Sequence, residues 1–187
     1  MDAKKKIKME NKISLKEIKI RPLSLADLRL AKEFLDYHNS LVKEEVMMLT
    51  KKNKTLKEEK EWLKEKIKKV KDKKLVFLVA EDNGKIVGIV SISSEKGRQD
   101  HIGGLGISVR KEYRGIGLGK KLMKEILKLA KKELKPRPKI IRLSVFSTNK
   151  IAQNLYKKMG FKIVAKVPKQ FQYKGKLVDE IIMIKEI

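Results

Sequence analysis

The chain has no cysteine. That excludes disulfides, cysteine-ligated zinc, iron–sulfur clusters and a cysteine nucleophile. A reducing cytoplasm is the natural expectation for such a sequence. No run approaches the roughly 18 consecutive apolar residues of a membrane span. No signal-peptide pattern opens the sequence either. Aromatic residues make up 5% of the chain, and arginine supplies only 7 of the 48 basic residues. Nucleic-acid readers use arginine forks and stacking aromatics, so both shortages weigh against nucleic acid as the main partner.

What the chain has in excess is lysine. The formal net charge is +25, from 48 Lys and Arg against 23 Asp and Glu. One reading is attraction to nucleic acid, an acidic protein or an anionic surface. The other is a thermophile-like composition, in which Lys and Glu cover the surface and thermolabile residues are few. The 187 residues suit one domain of about 100–200 residues, and 41% apolar content is enough for a core.

Residues 1–15 are lysine-rich without a clear period and are expected to form a flexible basic leader. Residues 16–187 are expected to form a single domain. Ile18 to Arg21 alternates like a first strand. Pro22 and Ser24 then open a helix with Leu25, Leu28, Ala31, Phe34 and Leu35 at helical intervals. Trp62, Leu63, Ile67 and Val70 mark the apolar face of a second helix near 56–71. Leu75 to Ala80 is an apolar strand, Asp82-Asn83-Gly84 a hairpin signal, and Ile86 to Ser93 the returning strand. Ile102 to Val109 is the next strand, and Lys120 to Leu134 an amphipathic helix. Ile140 to Phe146, after Pro136 and Pro138, is again strand-like. Phe161–Val167 and Leu177–Ile184 make a last pair, joined through Pro168 to Tyr173 and a Lys174-Gly175 turn. The order β α α β β β α β α β β implies an α+β domain: a mixed, largely antiparallel sheet flanked by helices.

Between the strand ending at Val109 and the helix after it lies Arg114-Gly115-Ile116-Gly117-Leu118-Gly119. A glycine-rich turn entering a helix leaves backbone N–H groups unpaired and aimed at one spot. With the positive end of the helix dipole, that makes an anion site. A P-loop is excluded, because Gly119-Lys120 is followed by Lys121 rather than Ser or Thr. A dinucleotide fingerprint fits poorly, because Lys120 stands where the third glycine belongs. The pattern [RQ]-x-x-G-x-[GA] matches in full. An ordinary glycine-rich strand-to-helix turn is the bland reading of the same residues. Further on, Asn149 can cap a helix carrying Ile151, Ala152, Leu155, Tyr156 and Met159 on one face, and Gly160 suits its end.

These two stretches, in this order, resemble the two signatures of the GNAT acetyltransferase superfamily. The resemblance covers roughly Glu17 to Ile187. It implies the GNAT fold, acetyl-CoA as co-substrate and no metal. It further implies that Gly115 to Lys120 hold the pyrophosphate through backbone N–H groups, with Arg114 adding charge. Ile107, Ser108 and Val109 would line the pantetheine arm and polarise the thioester carbonyl through their main chain. Asn149 would bond the same arm, cap its helix, or do both. Tyr156 matches the tyrosine that faces the thioester sulfur and would protonate the departing thiolate. The alternative for Tyr156 is a packing aromatic. Ala152 would leave room for the cofactor. Ser108 is not expected to be a nucleophile, because the resemblance implies direct attack by the amine.

The general base is the part the sequence leaves open. Many relatives carry Glu in the strand before the loop, whereas here it reads His101-Ile102-Gly103-Gly104-Leu105-Gly106. His101, Glu81 and Asp100 are more distant candidates, and a water chain or an amine arriving neutral would also serve. The expected activity is transfer of an acetyl group from acetyl-CoA to a primary amine, on a small molecule or a protein. A homodimer is compatible with this, and no membrane partner is expected. The alternative is a CoA-binding protein of the same fold without transfer, acting through its basic surface on RNA, ribosomes or acidic partners.

Overall fold

The computed structural model describes residues 14–187. The expected basic leader therefore lies outside the described residues, except for Ser14 and Leu15. Leu15 is partly buried against the main core. Seven strands form one sheet in the order β1-β2-β3-β4-β5-β7-β6. They are β1 (Lys19–Pro22), β2 (Leu75–Asp82), β3 (Lys85–Ser94), β4 (Ile102–Val109), β5 (Ile140–Phe146), β6 (Lys162–Tyr173) and β7 (Lys176–Glu186). The helices are α1 (Ala31–Lys43), α2 (Leu56–Lys71), α3 (Leu118–Glu133) and α4 (Lys150–Lys158). Every neighbouring pair is antiparallel except β4 and β5. The expected α+β architecture, a largely antiparallel sheet flanked by helices, is the one observed. No helix among the described residues is long and apolar enough to cross a membrane.

Side-chain alternation along the strands divides the interior in two. On one face α3 buries Leu118, Leu122, Met123, Ile126, Leu127 and Ala130 against Val76, Leu78, Val90, Ile92, Ile141, Leu143 and Met183. Each Leu, Ile, Val or Met among them contributes about 1.5–3 kcal/mol when fully buried. On the other face α1 and α2 place Ala31, Phe34, Tyr37, Leu41 and Leu63 over Leu75, Phe77, Val79 and Ile86. A Thr55–Glu58 capping box starts α2. Just inside that helix Glu59 is buried, with Lys54 Nζ 2.9 Å from its carboxylate.

The turns follow the sequence closely. Asn83 (φ 47°) and Gly84 (φ 81°) both take positive φ between β2 and β3, as a two-residue hairpin requires. Three expectations need correction. Pro22 ends β1 rather than opening a helix. Ser24 then caps a 3-10 turn over Leu25–Leu30, and Leu25 is 71% exposed. Ile151 does not share the buried face of α4, being 86% exposed. Pro168 to Tyr173 is not a connector: β6 runs through it to Tyr173, with a register shift between Val167 and Phe171. Being at the sheet edge, β6 tolerates a residue that cannot donate to the ladder. Lys169 beyond it (φ 57°) turns its N–H to Asp179 Oδ1 at 3.0 Å.

Candidate active site

β4 and β5 are paired only at their starts, Ile102–Gly104 against Ile140–Arg142, and then part. β4 remains paired with β3 as far as Val109. One edge of β4 therefore faces an open fork. Arg110 donates its backbone N–H to Val87 O at 2.9 Å, so alternation directs the even-numbered residues of β4 toward β3. The odd ones, Leu105, Ile107 and Val109, present their main chain to the fork. In agreement, Arg114 Nε donates to Val109 O at 2.9 Å. This corrects one member of the expected set. The Ser108 main chain turns to β3, and its Oγ lies 2.8 Å from Tyr37 OH. Burial pushes the pKa of that phenol up.

The loop stands above the fork. Gly115 (φ 81°) and Gly117 (φ 91°) sit where side-chain-bearing residues are strained, and Gly117 is the N-cap of α3 with no side-chain cap. The first helical bond here is Lys121 N–H to Gly117 O, 3.1 Å. Among the described residues, the N–H groups of Gly115, Ile116, Gly117, Leu118, Gly119 and Lys120 have no backbone acceptor. Six such donors around one helix start can accommodate an anion. At Gly119 the reason for glycine is space, because a Cβ would lie 3.2 Å from Leu155 Cδ2 on α4. The loop is footed by Tyr113, whose OH donates to Asp82 Oδ2 at 2.7 Å. Arg114 departs from expectation. Its guanidinium forks onto both carboxylate oxygens of Glu44, with Nη2 at 2.9 Å from Oε2, and so is committed to the end of α1.

The second signature borders the fork from β5. Asn149 caps α4 through Oδ1, which accepts from Ala152 N–H at 3.1 Å. Gln153, which sequence reasoning passed over, is buried and donates through Nε2 to Phe146 O (3.1 Å) and Ser147 O (3.0 Å). It thereby fixes the elbow between β5 and α4. Leu155 reaches Gly119, so α4 lies beside the first turn of α3. Tyr156 follows it, 8% exposed, its ring 6.1 Å from that of Phe161. Burial pushes its phenol up to about 12, so it is protonated at neutral pH and has a proton to give.

The distant candidate bases are not brought to the fork. His101 O accepts from Lys139 N–H at 2.8 Å, at the closed end. Six strand residues, or about 20 Å, separate it from Ile107. Asp100 precedes it. Glu81 is tied to Arg21, 3.0 Å from Nε.

On the side away from α3 and α4, the segment after α1 meets the β6–β7 hairpin. Tyr173 OH donates to Glu45 O at 3.0 Å, and Lys51 Nζ to Gln172 Oε1 at 2.9 Å. Between them is a cavity of about 380 Å³ lined by Val42, Val46, Met48, Lys51, Gln172 and Tyr173. Phe146 at the end of β5 stacks on Phe171 at 4.1 Å.

Known proteins are similar to this chain in sequence and in fold. The family model described as "Acetyltransferase (GNAT) family" matches residues 39–161. The L-amino acid N-acetyltransferase AaaT of Escherichia coli (strain K12) is 33% identical over 107 residues, which cover 57% of this chain and 65% of that protein. The chain thus matches slightly less than two thirds of that relative's length. Among solved structures, an acetyltransferase of the GNAT family from Streptococcus pneumoniae superposes with a TM-score of 0.79 at 29% identity. It covers 91% of this chain and 100% of that one. The yncA protein of Salmonella typhimurium, solved with its cofactor acetyl-CoA, gives 0.75 at 19%, covering 91% and 94%. Since the family model spans both signatures and the strands that carry them, the chain belongs to the GNAT acetyltransferase family.

Proposed function

We propose that the chain is an N-acetyltransferase that moves an acetyl group from acetyl-CoA to a primary amine by direct attack. One observation carries the reading. The strand fork has at its mouth N–H donors with no backbone acceptor among the described residues, main-chain donors along one edge and a protonated phenol on the bordering helix. The six loop N–H groups suit the donor's pyrophosphate, and glycine at 119 lets Leu155 of α4 pack close to the start of α3. Acetyl-CoA supplies the activated acyl group, a thioester. The N–H groups of Ile107 and Val109 face the fork and would stabilise the negative charge that develops on its carbonyl oxygen. Asn149 spends Oδ1 on its cap, leaving its amide N–H₂ for the pantetheine arm. Tyr156 donates a proton to the leaving sulfur. The relative named L-amino acid N-acetyltransferase supports a small α-amino acceptor among the amine classes.

The test is acetyl-CoA-dependent thiol release across polyamines, amino acids, aminoglycosides, N-terminal peptides and basic proteins. The chain has no cysteine and so contributes no thiol background. Release with one acceptor class is expected. Release with none, from protein that binds acetyl-CoA, would refute transfer and leave a CoA-binding protein.

A further inference from the structure

The face of the sheet opposite α3 and α4 is only half covered. The cluster beneath α1 and α2 takes fully buried side chains from β2 and β3 and none from β4 to β7. Where β4 and β5 part, the same face carries Gly104 and Gly106 on one strand and Arg142 and Ser144 on the other, with Phe146 beyond them at the end of β5. Ser93 lies opposite Gly104 and Ser91 opposite Gly106, and Arg142 is level with Gly104 on β5. Two residues on, Ser144 shares the Arg142 face and is exposed. It stands where the two strands part.

Ser144 has a partner. Its hydroxyl donates to Glu180 Oε1 of β7. Glu180 is in register with Phe146, so Ser144, Phe146 and Glu180 all lie on the open face. Charged neighbours on the surrounding elements are already matched. Arg142 pairs with Glu95 at 3.0 Å, Lys166 with Asp179 at 3.0 Å, and Lys174 with Glu45 at 3.3 Å. Lys51 bonds Gln172, and Lys169 gives its backbone N–H to Asp179. Among the described residues, Glu180 enters no ion pair. A carboxylate backed by a hydroxyl thus sits at the fork, across the sheet from the glycine loop and Tyr156.

We infer that Glu180, acting through Ser144, is the proton acceptor for the incoming amine; the inference rests on the transfer reaction proposed above. An acceptor amine is mostly ammonium near neutral pH and cannot attack. Approaching from the open face, it gives a proton to Ser144 Oγ while Ser144 passes its own to Glu180. The freed lone pair attacks the thioester carbonyl through the fork. The C–N bond forms and the C–S bond breaks. Sulfur takes the Tyr156 proton, and the tyrosinate takes the second proton from nitrogen. Glu180 releases its proton to water. Ammonium and thioester have then become amide, thiol and one proton.

Glu180→Gln tests this. Glutamine keeps an acceptor for the Ser144 hydroxyl and disturbs no ion pair, so the fold is retained. The measurements are kcat/KM for a primary amine from about pH 6 to about pH 10, spanning the onset of amine deprotonation, together with acetyl-CoA affinity. Near neutral pH the expected loss is about 10²–10⁴-fold. It shrinks as pH rises toward the amine's own pKa, because a neutral amine needs no base. Acetyl-CoA affinity is unchanged. A parental rate, or a loss constant across pH, in an active background would overturn the inference alone. A parent chain that acetylates no amine would overturn the transfer reading and the inference with it.

Discussion

Replacing Tyr156 by Phe separates the two things that tyrosine can be, a packing ring or a proton donor. The ring remains and only the hydroxyl is lost. Among the described residues that hydroxyl has no hydrogen-bond partner, so its removal breaks no satisfied bond. At neutral pH the stability change stays within about 1 kcal/mol. The alkaline limb behaves differently. The unfolded phenol titrates near pH 10, and the folded one near 12, raised by burial. Below pH 10 both states are protonated and the group contributes nothing. Between 10 and 12 the unfolded chain binds fewer protons than the folded one, so stability falls as pH rises. The loss is about 1.4 kcal/mol per pH unit. Between pH 9 and pH 11 the parent should therefore lose about 1.3 kcal/mol more than Tyr156→Phe. Urea midpoints at the two pH values measure the difference, and taking variant against parent cancels the lysines and the other tyrosines. In the same protein, kcat should fall about 10²–10⁴-fold with acetyl-CoA affinity intact. Parallel alkaline limbs would refute the desolvation argument. An unchanged kcat would refute the donor role.

Two further substitutions probe the scaffold. Gly117→Trp places a side chain at φ 91° in the N–H cradle. It should cost about 1–2 kcal/mol in backbone strain and abolish acetyl-CoA binding; calorimetric titration that finds parental affinity would sink the cradle. Gly103→Ala puts a Cβ 2.7 Å from Ile92 Cγ2 and 2.8 Å from Ile141 Cδ1. Overpacking of about 1–3 kcal/mol should lower Tm by about 2–4 °C for each kcal/mol, and an unshifted melting curve would show that the core yields there.

Much of the frame was legible because its signals are local. The Asn83-Gly84 turn needs two positive φ values, and those residues accept them. α3 shows its buried face directly as Leu118, Leu122, Met123 and Ile126. The failures are local as well. Ile151 fits a helical period but falls at the exposed edge of its face, and the Pro168 segment reads as a break although an edge strand tolerates it.

By itself the sequence determined the glycine loop at a helix start, the asparagine cap and a tyrosine about two turns further on. Each depends on residues within a few positions, where spacing fixes geometry. Only the tertiary structure decided what these face. Strand parity is visible in the sequence, but which neighbour each edge meets is not. Hence the fork, and the turning of Ile107 and Val109 rather than Ser108 into it, emerged only with the sheet order. Arg114 meets Glu44 across 70 residues and Ser144 meets Glu180 across 36. Such pairs have no spacing rule, because the fold brings them together through strands and helices that lie between them in the chain.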